Sequence, residues 1–180
     1  SIRVSRRSPV VITYLTQRRR LDAFLVERAV EAGATLRERA LLRQVERHPS
    51  HVTVRASDGV FEGSTLVAAD GANGSTARLA GLNVGLLNGI ALEGNVSTNG
   101  PVPERWDSAM GMDFGDAPGG YGWIFPKGDH LNFGVAGWKY LGPSLRARLD
   151  RLVRFYGFDP DDLRSLRGHH LPIRPPSSPL

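Results

Sequence analysis

Hydrophobic and polar positions change period several times along the chain, and each change predicts an element. Residues 10–15 (VVITYL) form a β-branched run that predicts a strand. Leu21, Leu25, Ala29 and Ala32 then recur at three- and four-residue steps, the spacing of a helix face, and Gly33 supplies its stop. After an extended stretch at 35–39, residues 41–46 and 51–55 read as two strands parted by the turn HPS. Asp58-Gly59 predicts a hairpin between VTVRAS and VFEG. Residues 64–69 (STLVAA) predict a short buried strand running into Asp70-Gly71, and 73–80 a short helix stopped by Gly81. From 86 to 138 extended segments are interrupted by the loops NGPVPE and GDAPGG. Residues 143–156 predict an amphipathic helix: Leu145, Leu149, Leu152 and Tyr156 share one face, and Arg146, Arg148, Arg151 and Arg154 lie away from it. Gly157 ends it, and 159–166 predict one or two further turns.

The order of elements predicts a mixed α/β (α+β) chain: a helix, a β-meander and an Asp-Gly strand over residues 1–82, then a mainly antiparallel sheet with a helix over 83–180. Hydrophobic residues at 41% and charged residues at 23% supply enough apolar surface for a core. No apolar run approaches the roughly 18–20 residues of a membrane span. The basic start SIRVSRRSP is followed by no apolar stretch of a secretory signal. With no cysteine, disulfides, thiolate metal sites and cysteine nucleophiles are excluded. The chain starts at Ser1 and closes on the proline-rich IRPPSSPL, which we read as a piece of a longer protein.

Net charge is +5, and of 23 basic residues all but Lys127 and Lys139 are arginine. Such a surface suits a dinucleotide phosphate, an anionic membrane face or nucleic acid, or is simply solvated. His48, His51, His130, His169 and His170 make no metal-ligand spacing, so no metal is expected. Neither a nucleophile elbow nor a carboxylate pair spaced for hydrolysis is present.

Two segments carry candidate chemistry. In LVAADGANG (66–74) a strand ends in a carboxylate followed by small residues, which let a ligand approach the backbone; an ordinary turn reads the same way. In GYGWIFPKGDHLNFG (120–134) Tyr121, Trp123 and Phe125 alternate, so a strand places all three rings on one face, and Pro126 limits pairing at its end. Three rings on one face form either a piece of core or a wall for a long hydrocarbon or planar ring system.

These segments resemble a known family. LVAADGANG is similar to the Asp-Gly segment of flavoprotein hydroxylases and their relatives, with Gly74 in place of a usual serine. QRRRLDAFLVERAVEAGA (17–34) resembles their R-x-x-F-D-x-x-L helix, with Leu21 in place of phenylalanine. GYGWIFPKGDHLNFGVAG resembles the Y-x-W-x-F-P motif and following G-x-G of geranylgeranyl reductases, the last glycine being replaced by Ala136. LRGHHLPIRP (166–175) resembles that family's G-x-x-L-P segment.

The resemblance implies part of an FAD-binding domain joined to a substrate-binding sheet. It implies FAD contacts from Arg18, Asp70, Gly71 and Ala72, and a substrate wall from Tyr121, Trp123, Phe125 and Pro126. The implied activity is flavin-dependent reduction of isoprenoid C=C bonds in lipid biosynthesis. NADPH or reduced ferredoxin would be the reductant, and an isoprenoid lipid or polyprenyl compound the substrate. The implied location is the cytoplasm, with peripheral membrane contact at its cytoplasmic face and no nucleic-acid partner. No residue is singled out as the proton donor. G-x-G-x-x-G does not occur in this sequence, and the downstream G-D-A that the family places after the G-x-x-L-P segment is expected beyond Leu180, so the chain alone is expected to bind FAD poorly. Two other readings remain open on the residues: a flavin monooxygenase or halogenase of the same superfamily, and an arginine-rich module binding nucleic acid or a membrane surface.

Overall fold

A computed structural model of the chain describes residues 10, 11, 13–82 and 87–173. The basic start 1–9, Ile12 of the first expected strand, the expected boundary at 83–86 and the end of the G-x-x-L-P segment lie outside the described residues. Helix α1 (Arg18–Glu31) is followed by strands β1 (Leu42–Arg47), β2 (Val52–Ala56) and β3 (Gly59–Gly63) and helix α2 (Thr76–Leu79). Next come β4 (Leu87–Ser97), α3 (Glu104–Asp107), β5 (Gly111–Asp113), β6 (Tyr121–Pro126) and β7 (His130–Trp138). A 3₁₀ turn (Lys139–Ser144) leads into α4 (Leu145–Phe155), and a second (Pro160–Asp162) into β8 (Arg164–Ile173). The chain divides into two compact units: the described residues of Ser1–Phe24 with Asn88–Leu171, and those of Leu25–Leu87 with Pro172–Leu180.

The larger unit is a five-stranded sheet in the order β5-β6-β7-β4-β8. β5/β6, β6/β7 and β7/β4 pair antiparallel. Register sorts the side chains into two faces, because paired residues point the same way. Ile124 pairs with Phe133 and Val96 with Leu131; all four are buried and face α4. Leu145, Leu149, Leu152 and Val153 come down from α4 to meet them. Fully burying such a side chain stabilises by about 1.5–3 kcal/mol, so this layer holds the unit together. The helix begins two residues after the predicted Pro143 because Lys139–Ser144 winds as 3₁₀, and Val153 joins the expected face.

The opposite face of the sheet carries Tyr121, Trp123 and Phe125 from β6, Asn132, Gly134 and Ala136 from β7, and Ala91, Glu93 and Asn95 from β4. Gly120 admits β6 to this arrangement: a Cβ there would stand 2.0 Å from the Ala136 carbonyl oxygen.

The smaller unit contains the antiparallel meander β1-β2-β3. Its second turn is the predicted hairpin, shifted by one residue: Ser57 and Asp58 form the loop, and Ala56 pairs with Gly59.

Two expected strands are corrected. Residues 64–69 form no strand; they run extended and unladdered, with Val67 78% exposed. Likewise 10, 11 and 13–15 form no strand, and Val11 and Tyr14 are exposed. A β-branched run becomes a strand only where a neighbour accepts its ladder bonds, and among the described residues neither segment has one. The α1 periodicity is correct, but none of its residues is buried; Leu21, Leu25 and Val30 stay open. After 159 one expected turn forms at Pro160–Asp162, and the chain then enters β8, the edge strand beside β4. Its sequence RSLRGHHLPI lacks alternation because it is exposed along nearly its whole length.

Candidate active-site groove

A groove of about 410 Å³ opens in the larger unit on the face of the sheet opposite α4. Tyr121, Trp123 and Phe125 form its wall, as the alternation predicted; Asn95, Asn132 and Glu93 lie beside them, and Arg18, Arg19, Lys127 and Arg167 add positive charge. Arg18, expected at the cofactor, and the three rings, expected at the substrate, therefore line one groove.

The rings form a ladder along β6. Centroids of Tyr121 and Trp123 are 5.8 Å apart, and those of Trp123 and Phe125 6.1 Å. Both spacings lie in the range of favourable aromatic pairs. Beyond Tyr121, Phe114 continues the ladder at 6.4 Å. Pro126 closes the strand opposite Leu131, next to Phe125 and Lys127.

Trp123 is the buried member, at 8% exposure, and two β7 residues fix it. It pairs with Gly134, whose missing side chain leaves room for the indole: a Cβ there would lie 2.0 Å from Trp123 Cζ2. The indole Nε1 donates to Asn132 Oδ1 at 2.8 Å, and Asn132 Nδ2 donates to Asn95 Oδ1 at 2.9 Å. The indole is thus held at its face and at its edge. Asn95 and Asn132 were not anticipated. Their signal was a polar residue inside an alternating strand, on the same face as the rings.

Lys127 stands at the Phe125 end of the ladder, and Glu93 lies in the row of Trp123. Lys127 Nζ lies 5.8 Å from the Phe125 centroid and donates to the Thr16 carbonyl at 2.8 Å; Gln17 Nε2 donates to the Lys127 carbonyl at 3.3 Å. Burial lowers the Lys127 ammonium below its ordinary pKa, and the Glu93 carboxylate partly offsets this. Glu93 Oε1 also pairs with His169 Nε2 at 3.1 Å. Arg18 is gripped by Asp22 through Nε at 2.9 Å and Nη2 at 3.0 Å, which raises its pKa further.

Asp70, Gly71 and Ala72 lie in the smaller unit, on an exposed turn. Asp70 Oδ2 accepts from the Thr76 amide at 2.9 Å and the Thr76 hydroxyl at 2.7 Å, closing the turn onto the start of α2. These bonds, the hydroxyl's first, hold the carboxyl below its ordinary pKa. A Cβ at Gly74 would stand 2.2 Å from the Asp70 carboxyl carbon, so a larger residue here would make the Asp70 side chain shift. Gly71 has φ +77°, the left-handed conformation glycine adopts without penalty. The aspartate thus organises its own loop, and the small residues 71 and 72 remain on the surface.

Among the described residues no cluster of three or more His, Asp or Glu could hold a metal ion, and no helix is long and apolar enough to cross a membrane.

The architecture recurs in solved structures. A geranylgeranyl bacteriochlorophyll reductase-like protein from Thermoplasma acidophilum superposes with a TM-score of 0.71 at 22% identity, over 85% of this chain and 41% of that one. A flavin-dependent brominase superposes at 0.63 and 14% identity, over 89% and 45%. The chain shares its fold with both. In sequence, digeranylgeranylglycerophospholipid reductase 2 of Methanothermobacter thermautotrophicus is 35% identical over 162 residues, 85% of this chain and 41% of the relative. Geranylgeranyl diphosphate reductase from tobacco, Nicotiana tabacum, is 32% identical over 137 residues, 67% and 29%. No family model matches. The chain belongs to the geranylgeranyl reductase family, and it spans less than half the length of the relatives it matches.

Proposed function

We propose that the chain supplies the substrate wall and part of the cofactor contacts of an FAD-dependent reductase of isoprenoid C=C bonds. The observation that carries this reading is the immobilised Trp123. A planar apolar surface, locked by Gly134 and Asn132 and flanked by Tyr121 and Phe125, suits a polyprenyl chain. Phe125 shapes the groove, Tyr121 and Trp123 orient the substrate, and Pro126, which pairs with Leu131 on the other face of the sheet, ends the strand.

The turn at Asp70 fits a flavin cofactor on the chemistry it presents: small exposed residues at 71 and 72, the first in the left-handed conformation, leave the backbone open to a large ligand. Asp70, Gly71 and Ala72 would hold FAD there, and Arg18 would neutralise phosphate charge. Bound FAD would supply hydride to the double bond, while this chain's residues position the substrate and keep water from it. NADPH or reduced ferredoxin is the proposed electron source. The proposed substrate partitions into lipid, so the protein would work at the cytoplasmic face of a membrane.

The test uses the flavin-loaded protein and a polyprenyl substrate. Trp123→Ala is expected to lower turnover about tenfold or more with the flavin content unchanged. Loss of flavin instead would mean that the strand serves the cofactor. Oxygen uptake coupled to NADPH oxidation on a small aromatic, with no prenyl reduction, would favour the monooxygenase or halogenase reading.

A further inference from the structure

Saturating a C=C bond takes a hydride at one carbon and a proton at the other. The hydride is the cofactor's in the reading above; the proton must come from an acid at the groove. Glu93 is the one carboxylate lining it. On β4 it pairs with Gly134, which pairs with Trp123, so the three share one row across the sheet. Gly134 has no side chain and the indole covers it, which makes the carboxylate the indole's next neighbour in that row. Alternate residues of β8 serve the same face: Ser165 and Arg167 line the groove, His169 reaches Glu93, and Leu171 packs against the Trp123 cluster. His169 Nε2 lies 3.1 Å from Glu93 Oε1. The His169 side chain is 48% exposed and that of Glu93 28%, so the pair joins water to the groove. The other proton carriers of the groove are engaged elsewhere or are weaker acids. Lys127 donates to the Thr16 carbonyl, and His130 Nδ1 pairs with Asp129 at 2.7 Å. Both stand past Phe125, where the Lys127 amide bonds the His130 carbonyl. A carboxylic acid gives up its proton far more readily than a phenol such as Tyr121.

From this juxtaposition we propose that Glu93 is the proton donor of the reduction and that His169 returns its proton from solvent. The inference rests on the C=C reductase reading above and adds the acid that it lacks. The pair shares one proton across its hydrogen bond. In the step the Glu93 O–H bond breaks, and a C–H bond forms at the carbon that does not take the hydride. Both electrons arrive with the hydride, so the alkene is reduced at the expense of the reduced cofactor. The carboxylate left on Glu93 takes the Nε2 proton of the His169 imidazolium, and the imidazole regains one from water. His169 touches no reacting atom. It is a positioning residue that holds the carboxyl and resupplies it.

The experiment uses the full-length flavin-loaded protein, with geranylgeraniol as the probe and dithionite as the reductant. Circular dichroism and flavin absorbance verify each variant. Glu93→Gln keeps an oxygen for the His169 N–H but has no acid proton. Its turnover is expected to fall about a hundredfold or more, the usual worth of a general acid. Its affinity for geranylgeraniol, by equilibrium titration, should stay at the wild-type value. Glu93→Asp, still an acid, should turn over about tenfold faster than Glu93→Gln. His169→Gln should lower kcat at neutral pH without raising KM, and the deficit should vanish as pH falls, because water then protonates Glu93 directly. Lys127, His130 and Tyr121 also titrate in the groove, among Arg18, Arg19 and Arg167, so the profile is read as variant against wild type. Wild-type turnover in Glu93→Gln, or Glu93→Asp no faster than Glu93→Gln, would overturn the donor and leave the reductase reading standing. Weakened binding by Glu93→Gln with kcat intact would make Glu93 a binding group and overturn the donor too. A His169→Gln deficit constant with pH would overturn the resupply. If Glu93→Gln misfolds, Glu93→Asp and the His169→Gln profile decide. A wild-type protein that leaves geranylgeraniol unreduced overturns the reductase reading, and the donor with it.

Discussion

Gly134 lies under the face of the Trp123 indole, in register across β6 and β7, and a single added carbon there would stand 2.0 Å from the ring. Gly134→Ala must therefore push the indole out of its place. We expect a loss of about 1–3 kcal/mol, the usual penalty of overpacking, measured by urea unfolding. In a Trp123→Ala background the same substitution should cost much less. An unchanged cost in that background would mean that Gly134 serves the backbone and not the indole.

Asn132 tests the edge of the same ring. Asn132→Leu removes the acceptor of the indole N–H and leaves a partly buried donor unmade, a penalty of about 1–3 kcal/mol. Trp123→Phe removes the donor. A double-mutant cycle of the two should show coupling of about 0.5 kcal/mol or more; additive effects would deny the bond an energetic role.

The core layer makes a contrast between two faces of one helix. Leu149 is fully buried, so Leu149→Ala should destabilise by about 2–5 kcal/mol. Arg146 forms an exposed i,i+4 pair with Asp150, and Arg146→Ala should change stability by about 0.5 kcal/mol or less. Thermal or chemical denaturation separates the two outcomes.

Asp70 adds a pH dependence. Its folded-state pKa lies below the ordinary value of 3.8, so the folded state binds its proton less readily than the unfolded state. The resulting stabilisation is present above the ordinary carboxylate value and is lost as pH falls through the folded value. Thr76→Val removes the hydroxyl donor but keeps the amide, so the Asp70 midpoint, followed by NMR, should rise towards 3.8. No movement would show that the hydroxyl bond does not set the titration.

Where local pattern and tertiary environment agreed, the sequence was legible. The α4 stripe, the meander hairpin and the three-ring face of β6 each follow from the period of their own residues, because each buries one face against a neighbour. Residues 64–69 and β8 show the opposite case. STLVAA has the composition of a buried strand and no ladder neighbour among the described residues; RSLRGHHLPI has no strand pattern and becomes one because β4 offers its edge. Sheet membership depends on a partner distant in sequence, which a local window does not contain.

The candidate site divides along the same line. The sequence by itself determined which residue types could serve: rings at every second position, Asp-Gly after an apolar run, and arginines at the head of a helix. Motif spacing carried the family resemblance. Tertiary structure decided which of them meet. It set Arg18 and Lys127 in the groove of Tyr121, Trp123 and Phe125, and it made Asn132 and Gly134 the supports of the indole. It also turned the Asp70 carboxylate inward to Thr76. Antiparallel register causes the difference: it brings Trp123 opposite Gly134 and Phe125 opposite Asn132, fixing in space pairs that no periodicity within one strand specifies.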